Sequence, residues 1–185
     1  MMRLVNQAVT RFFGRRIRRW RAGSEWRVGE DIRFSSVPRT LALTSPAFAH
    51  GEAMPAAPDS PPLEWSGVPP QTKMLALVME DVDAPLLRPL MHAVAHGIDP
   101  ATTSLEAGAL DGKHEHVTMG YNGGGGRSYI APAPIPGHGP HRYVFTLLAI
   151  DFEPRFDQPP TKGRLLDAIA GHVCALGELM GTVER

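Results

Sequence analysis

Cysteine is almost absent from this chain: Cys174 stands alone among 185 residues. A single thiol excludes an intrachain disulfide and a thiolate metal cluster, and this economy fits a cytoplasmic protein. No apolar run approaches the roughly 20 residues that a bilayer-spanning helix needs. Acidic residues are scarce at the start, where residues 1–27 hold one Glu against eight Arg. The rest carries eleven basic and eighteen acidic side chains, so a formal charge of zero conceals a basic arm on an acidic body. The arm's arginine pairs lack the apolar core and small-residue cleavage site of an export signal. The run Gly123–Gly126 has no Gly-Lys-Ser/Thr after it and so is no phosphate loop. A Gly-x-Ser-x-Gly nucleophile elbow is missing too.

What remains suits one domain rather than two. Leu41–Leu43, Lys73–Glu80, Met91–His96 and Arg142–Ile150 read as strands. The Pro- and Ala-rich stretch Pro46–Pro62 reads as loop. Lys162–Val183 reads as one C-terminal helix, with Leu165, Leu166, Ile169, Val173, Leu176 and Met180 as its apolar stripe. That reading places His172 and Cys174 on the helix as packing or surface residues. The fold class expected is β-dominated with flanking helices.

Two runs carry the chemistry. Asp81-Val82-Asp83-Ala84-Pro85 ends an apolar strand, and His92 follows seven residues later. Ala131–Pro140 is dense in Pro and Gly and leads into His141-Arg142-Tyr143. Proline fixes φ and lacks an N–H, so these segments make stiff loops. On a strand, His141 and Tyr143 share a face and Arg142 takes the other, where a structural salt bridge is its expected role. Two imidazoles, a phenol and loop N–H groups are donors suited to a phosphate or carboxylate. A carboxylate beside an imidazole orients the ring, which is the role expected of Asp81, while Asp83 is expected to hold the loop together. His114-Glu115-His116 reads as an exposed polar loop rather than a metal site, and no metal or cofactor is expected.

These runs resemble the signatures of the phosphatidylethanolamine-binding protein family, in its bacterial Raf-kinase-inhibitor-like branch. The resemblance extends upstream through Leu43–Phe48 and Ser60–Pro69, covering about residues 41–185 in order. Val82 stands where the family has its first proline, Ala131 where a glycine is common, and Ile135 where a second proline is usual. The resemblance implies a large central antiparallel sheet packed on a smaller one, with residues 1–40 as arm and connector and 41–185 as the domain. It implies a non-enzymatic protein that binds a small anionic head group, with a kinase or protease as the partner it regulates. The ligand-binding set it implies is Asp81, Asp83, Ala84, Pro85, His92, Ala131, Ala133, Pro134, His141 and Tyr143, with Ala84–Pro85 a candidate cis bond. Two alternatives stand beside it: a hydrolase using His92 or His141 as general base, and a module that captures phosphorylated peptides.

Residues 1–21 repeat Val5, Val9, Phe12, Phe13, Ile17 and Trp20 at helical spacing among arginines. The arm is expected to be helical and to lay this apolar face on protein, its own body or a second subunit in a homodimer. Contact with an anionic membrane surface is the rival. No nucleic-acid partner is expected.

Overall fold

The computed structural model describes residues 10–185. Its centre is β3 (Met74–Asp81), whose eight residues are all buried. A strand covered on both faces reads as a continuous apolar run, which is why Met74–Met79 shows no alternation. Around it lies a five-stranded antiparallel sheet in the order β6-β4-β3-β7-β8, with β4 at Leu90–Ile98, β6 at Thr118–Met119, β7 at His141–Ile150 and β8 at Val173–Val183. A second antiparallel sheet has the order β1-β2-β5, from Ala42–Thr44, Leu63–Ser66 and Ser104–Leu105.

One face of the large sheet packs on the small sheet. Leu75, Leu77 and Met79 of β3 and Tyr143, Phe145 and Leu147 of β7 meet Leu43, Leu63 and Trp65 there. The opposite face carries Met74, Ala76, Val78, Leu148 and Leu176, covered by Val28, Phe34, Leu165, Leu166 and Ile169. Of three short 3₁₀ turns (Ser24–Trp26, Val28–Glu30, Ile32–Phe34), the last two supply cover, with the helix at Lys162–Ala168, called α2 because a helix α1 runs through 10–16. Glu80 fastens this layer. Its carboxylate is fully buried and accepts from Val28 N–H at 2.7 Å and Lys162 Nζ at 2.8 Å. Burial still pushes the Glu80 pKa up, against the pull of Lys162.

The expected helix over Lys162–Val183 is corrected. Only Lys162–Ala168 is helical, Gly171 turns the chain at φ +82°, and Val173–Val183 is strand β8, paired with β7 from His141↔Val183 to Ile150↔Val173. Leu176 and Met180 mimic a helical stripe because residues four apart share one face on a strand as they do on a helix. Gly177 is what a strand needs there: a Cβ would overlap the Leu41 carbonyl. Cys174 therefore lies on β8, its Sγ donating to the Ala149 carbonyl at 3.2 Å, and His172 sits in the turn before it, against Asp151.

The arm's expected packing on its own body is corrected as well. The arm meets the body, but not with its apolar face: Phe12, Phe13 and Trp20 are 62%, 61% and 55% exposed. Val5 and Val9 lie outside the described residues. Contact includes Gly14, buried against the carbonyl of Pro136, the Arg21 side chain on Asp83, and the backbone after the helix, where Ala22 N–H donates to Ala84 O and Gly23 N–H to Val82 O.

Candidate anion pocket

The antiparallel register brings the two sequence runs together. Asp81, the last residue of β3, pairs with Tyr143 of β7 on one side and Leu90 of β4 on the other. His92 and His141 therefore flank the same strand end. The loop after β6 closes the top: Ile130 N–H donates to His92 O at 2.9 Å, while His92 Nδ1 lies 2.7 Å from Ile130 O. The cavity formed there is about 260 Å³ and opens to solvent. Asp81, Ala84, Pro85, His92, Ala131, Ala133, Pro134, His141 and Tyr143 all line it, nine of the ten residues singled out in the sequence. Its walls are mainly the Ala, Pro, Leu and Ile of the two loops, and its polar groups gather on the strand floor.

Asp83 is the tenth and points elsewhere. Its carboxylate accepts from Arg142 N–H and Nε, both at 2.8 Å, from Arg142 Nη2 at 2.9 Å, and from Arg21 Nη1 at 2.8 Å. Burial works to raise its pKa, but the Arg142 and Arg21 hydrogen bonds outweigh that and hold it at about 2. Asp83 locks the turn and anchors the arm, and Arg142 has the salt-bridge role expected of its face. The Ala84–Pro85 bond is trans, which corrects the cis expectation. His114, Glu115 and His116 lie at a turn before β6.

Hydrogen bonds fix the protonation of the floor. His92 Nδ1 faces a carbonyl, which can only accept, so Nδ1 carries the proton. Burial lowers the His92 pKa, against the Ile130 carbonyl and the Asp81 charge, and favours the neutral ring. The neutral ring leaves Nε2 bare, in a residue that lines the cavity. That atom and the Tyr143 hydroxyl are buried without hydrogen-bond partners. Burial, reinforced by Asp81, pushes the Tyr143 phenol up, so it stays protonated. The two rings meet edge to face with centroids 5.1 Å apart.

His141 does something different. Its Nδ1 is 2.7 Å from Asp81 Oδ2, and its Nε2 is 2.7 Å from Nδ1 of His138, a residue the sequence reading passed over. His138 Nε2 in turn faces the carbonyls of Ile17 and Trp20, at 3.0 and 3.1 Å. Each of these three links needs one proton. Two neutral rings and a carboxylate supply only two, so the chain Asp81–His141–His138 holds one more and is neutral overall. Burial, with the neighbouring His141, lowers the His138 pKa, which favours a neutral His138 ring whose proton sits on Nε2, facing the carbonyls. The available signal for His138 was its spacing three residues before His141 across a positive-φ glycine, Gly139, but nothing in the sequence pointed to carbonyls on the arm.

A body of two packed antiparallel sheets, with a small cavity at the ends of its central strands, defines the class: a mainly β protein. Residues 44–184 match the pattern of the family described as phosphatidylethanolamine-binding protein, and the chain belongs to that family. It is 34% identical over 155 residues to a UPF0098 protein of Chlamydia muridarum, covering 78% of this chain and 99% of the other. It is 38% identical over 128 residues to a UPF0098 protein of Methanothermobacter thermautotrophicus, covering 68% and 83%. Among solved structures, a phosphatidylethanolamine-binding protein homolog of Chlamydia trachomatis superposes with TM-score 0.72 at 33% identity, over 80% of this chain and 99% of that one. YbcL of Escherichia coli superposes with TM-score 0.73 at 23% identity, over 79% and 99%, a likeness of fold.

Proposed function

We propose that this chain is a binding protein whose pocket takes a small phosphate-like or carboxylate-like head group together with a proton. The observation that carries the reading is the pair of unpartnered buried polar atoms, His92 Nε2 and Tyr143 Oη, on two residues that line one cavity. A buried polar atom without a partner costs about 1–3 kcal/mol, and a ligand that satisfies it recovers that cost. Tyr143 can donate as it stands. His92 cannot, because its only proton is on Nδ1; an anion becomes welcome when Nε2 takes up a proton and the ring becomes a cation beside it. Asp81 and the two histidines beyond it keep the floor neutral, so the added charge on His92 is what the anion meets.

Titration calorimetry with inorganic phosphate at about pH 5.5 and pH 8, spanning a typical His pKa, tests this. Two buffers of different ionisation enthalpy at each pH count the protons taken up. Tighter binding at the acid end with net uptake is expected. Equal or tighter binding at the alkaline end, after correction for the phosphate's own ionisation, overturns the reading.

A further inference from the structure

We propose that the outward face of the N-terminal arm is a docking surface for anionic lipid membranes, a role separate from ligand binding in the pocket. Residues 10–21 carry six arginines and no acidic residue. Arg21 is held by Asp83 and the Pro140 carbonyl, but Arg11, Arg15, Arg16 and Arg19 are exposed. Between them stand Phe12, Phe13 and Trp20, each more than half exposed. The body contact is made by Gly14, by the backbone of Ile17, Trp20, Ala22 and Gly23 and by the Arg21 side chain, which leaves the rings of Phe12, Phe13 and Trp20 on the outside. Large aromatics interleaved with cations on a short helix and its exit are the composition of an interfacial anchor: the rings enter the headgroup boundary while the guanidiniums meet lipid phosphates.

Two further observations support the lipid surface over other occupants. Leu86 and Leu87, 46% and 87% exposed, sit on the loop to which Ala22 is bonded, adding apolar side chains beside the arm. The rest of the chain is acidic, so an anionic membrane attracts only the arm and repels the remainder, which orients the molecule with its arm down. A second copy docked by two-fold symmetry would bring arginines against arginines. Apart from Leu86 and Leu87, the large exposed apolar side chains among the described residues beyond the arm are Trp26 and Ile32, on 3₁₀ turns.

The test uses the full chain and vesicles of phosphatidylcholine alone or with about one third phosphatidylglycerol. Co-sedimentation with the mixed vesicles only is expected, falling with added salt. The variant Arg15→Gln with Arg16→Gln and Arg19→Gln should lose about fivefold in partitioning per charge removed, about hundredfold in all. Phe12→Ser with Phe13→Ser and Trp20→Ser should lose at least about tenfold. Both sets are exposed, so unchanged melting temperatures confirm that the fold is intact. Failure to sediment with the mixed vesicles overturns the proposal. So does a concentration-dependent dimer abolished by the aromatic substitutions, or a preference for a single-stranded RNA over the mixed vesicles. Phosphate affinity of the same variants reports on the pocket separately, so either reading can fail alone.

Discussion

His138 Nδ1 and His141 Nε2 share one proton across 2.7 Å, and this bond ties the pocket floor to the N-terminal arm. On one side it leads through His141 to Asp81, and on the other through His138 to the carbonyls of Ile17 and Trp20. Nitrogen-15 spectra at neutral pH should show Nε2 protonated on both rings and Nδ1 of His138 bare. A bare Nε2 on His141 would contradict this proton count. Replacing His138 with Ala should strand the His141 Nε2–H and cost about 1–3 kcal/mol in denaturant unfolding.

Tyr143→Phe separates stability from binding. The hydroxyl is buried and unpartnered, so its removal should leave the free protein as stable or raise stability by up to about 1 kcal/mol. Phosphate affinity should fall about tenfold, the value of one lost hydrogen bond to a charged ligand. A clear loss of stability in chemical denaturation would show that the hydroxyl already has a partner.

Asp83 makes the protein acid-sensitive in a definite window. Its folded pKa, about 2, lies below the unfolded value, so its contribution is complete above about pH 4 and is lost as pH falls toward 2. The difference corresponds to about 2 kcal/mol. In Asp83→Asn this part of the acid dependence should disappear from unfolding curves measured across that range.

Glu80 has the opposite sign. Burial raises its folded pKa, so its protonated form stabilises the fold below the unfolded pKa, and that contribution fades as pH rises through the folded value. Lys162→Met removes the cation from a fully buried carboxylate and should destabilise by about 3 kcal/mol at neutral pH. The deficit should shrink at acid pH, as thermal melts of both proteins would show. A deficit constant with pH would mean that Lys162 acts only through packing.

The two signature runs were legible because their chemistry is local: proline-stiffened loops next to strand ends present the same side chains wherever the strands pair. Nine of the ten residues they pointed to line one cavity for that reason, and Arg142 fell on the far face by strand alternation alone. The tenth, Asp83, was decided by Arg142 and Arg21, partners that lie far along the chain. Local pattern misled at the C-terminus, where Leu176 and Met180 four apart fit a helix and a two-faced strand equally well. Ten residue pairs with β7 and the close approach of Leu41 to Gly177 settle it as a strand. The arm shows the same division. Its arginine-rich helical composition was fixed in the sequence, but which face meets the body depended on the steric fit of Gly14 against the Pro136 loop. The proton chain through His138 is wholly tertiary, because a hydrogen bond between residues more than a hundred positions apart leaves no trace in spacing or composition.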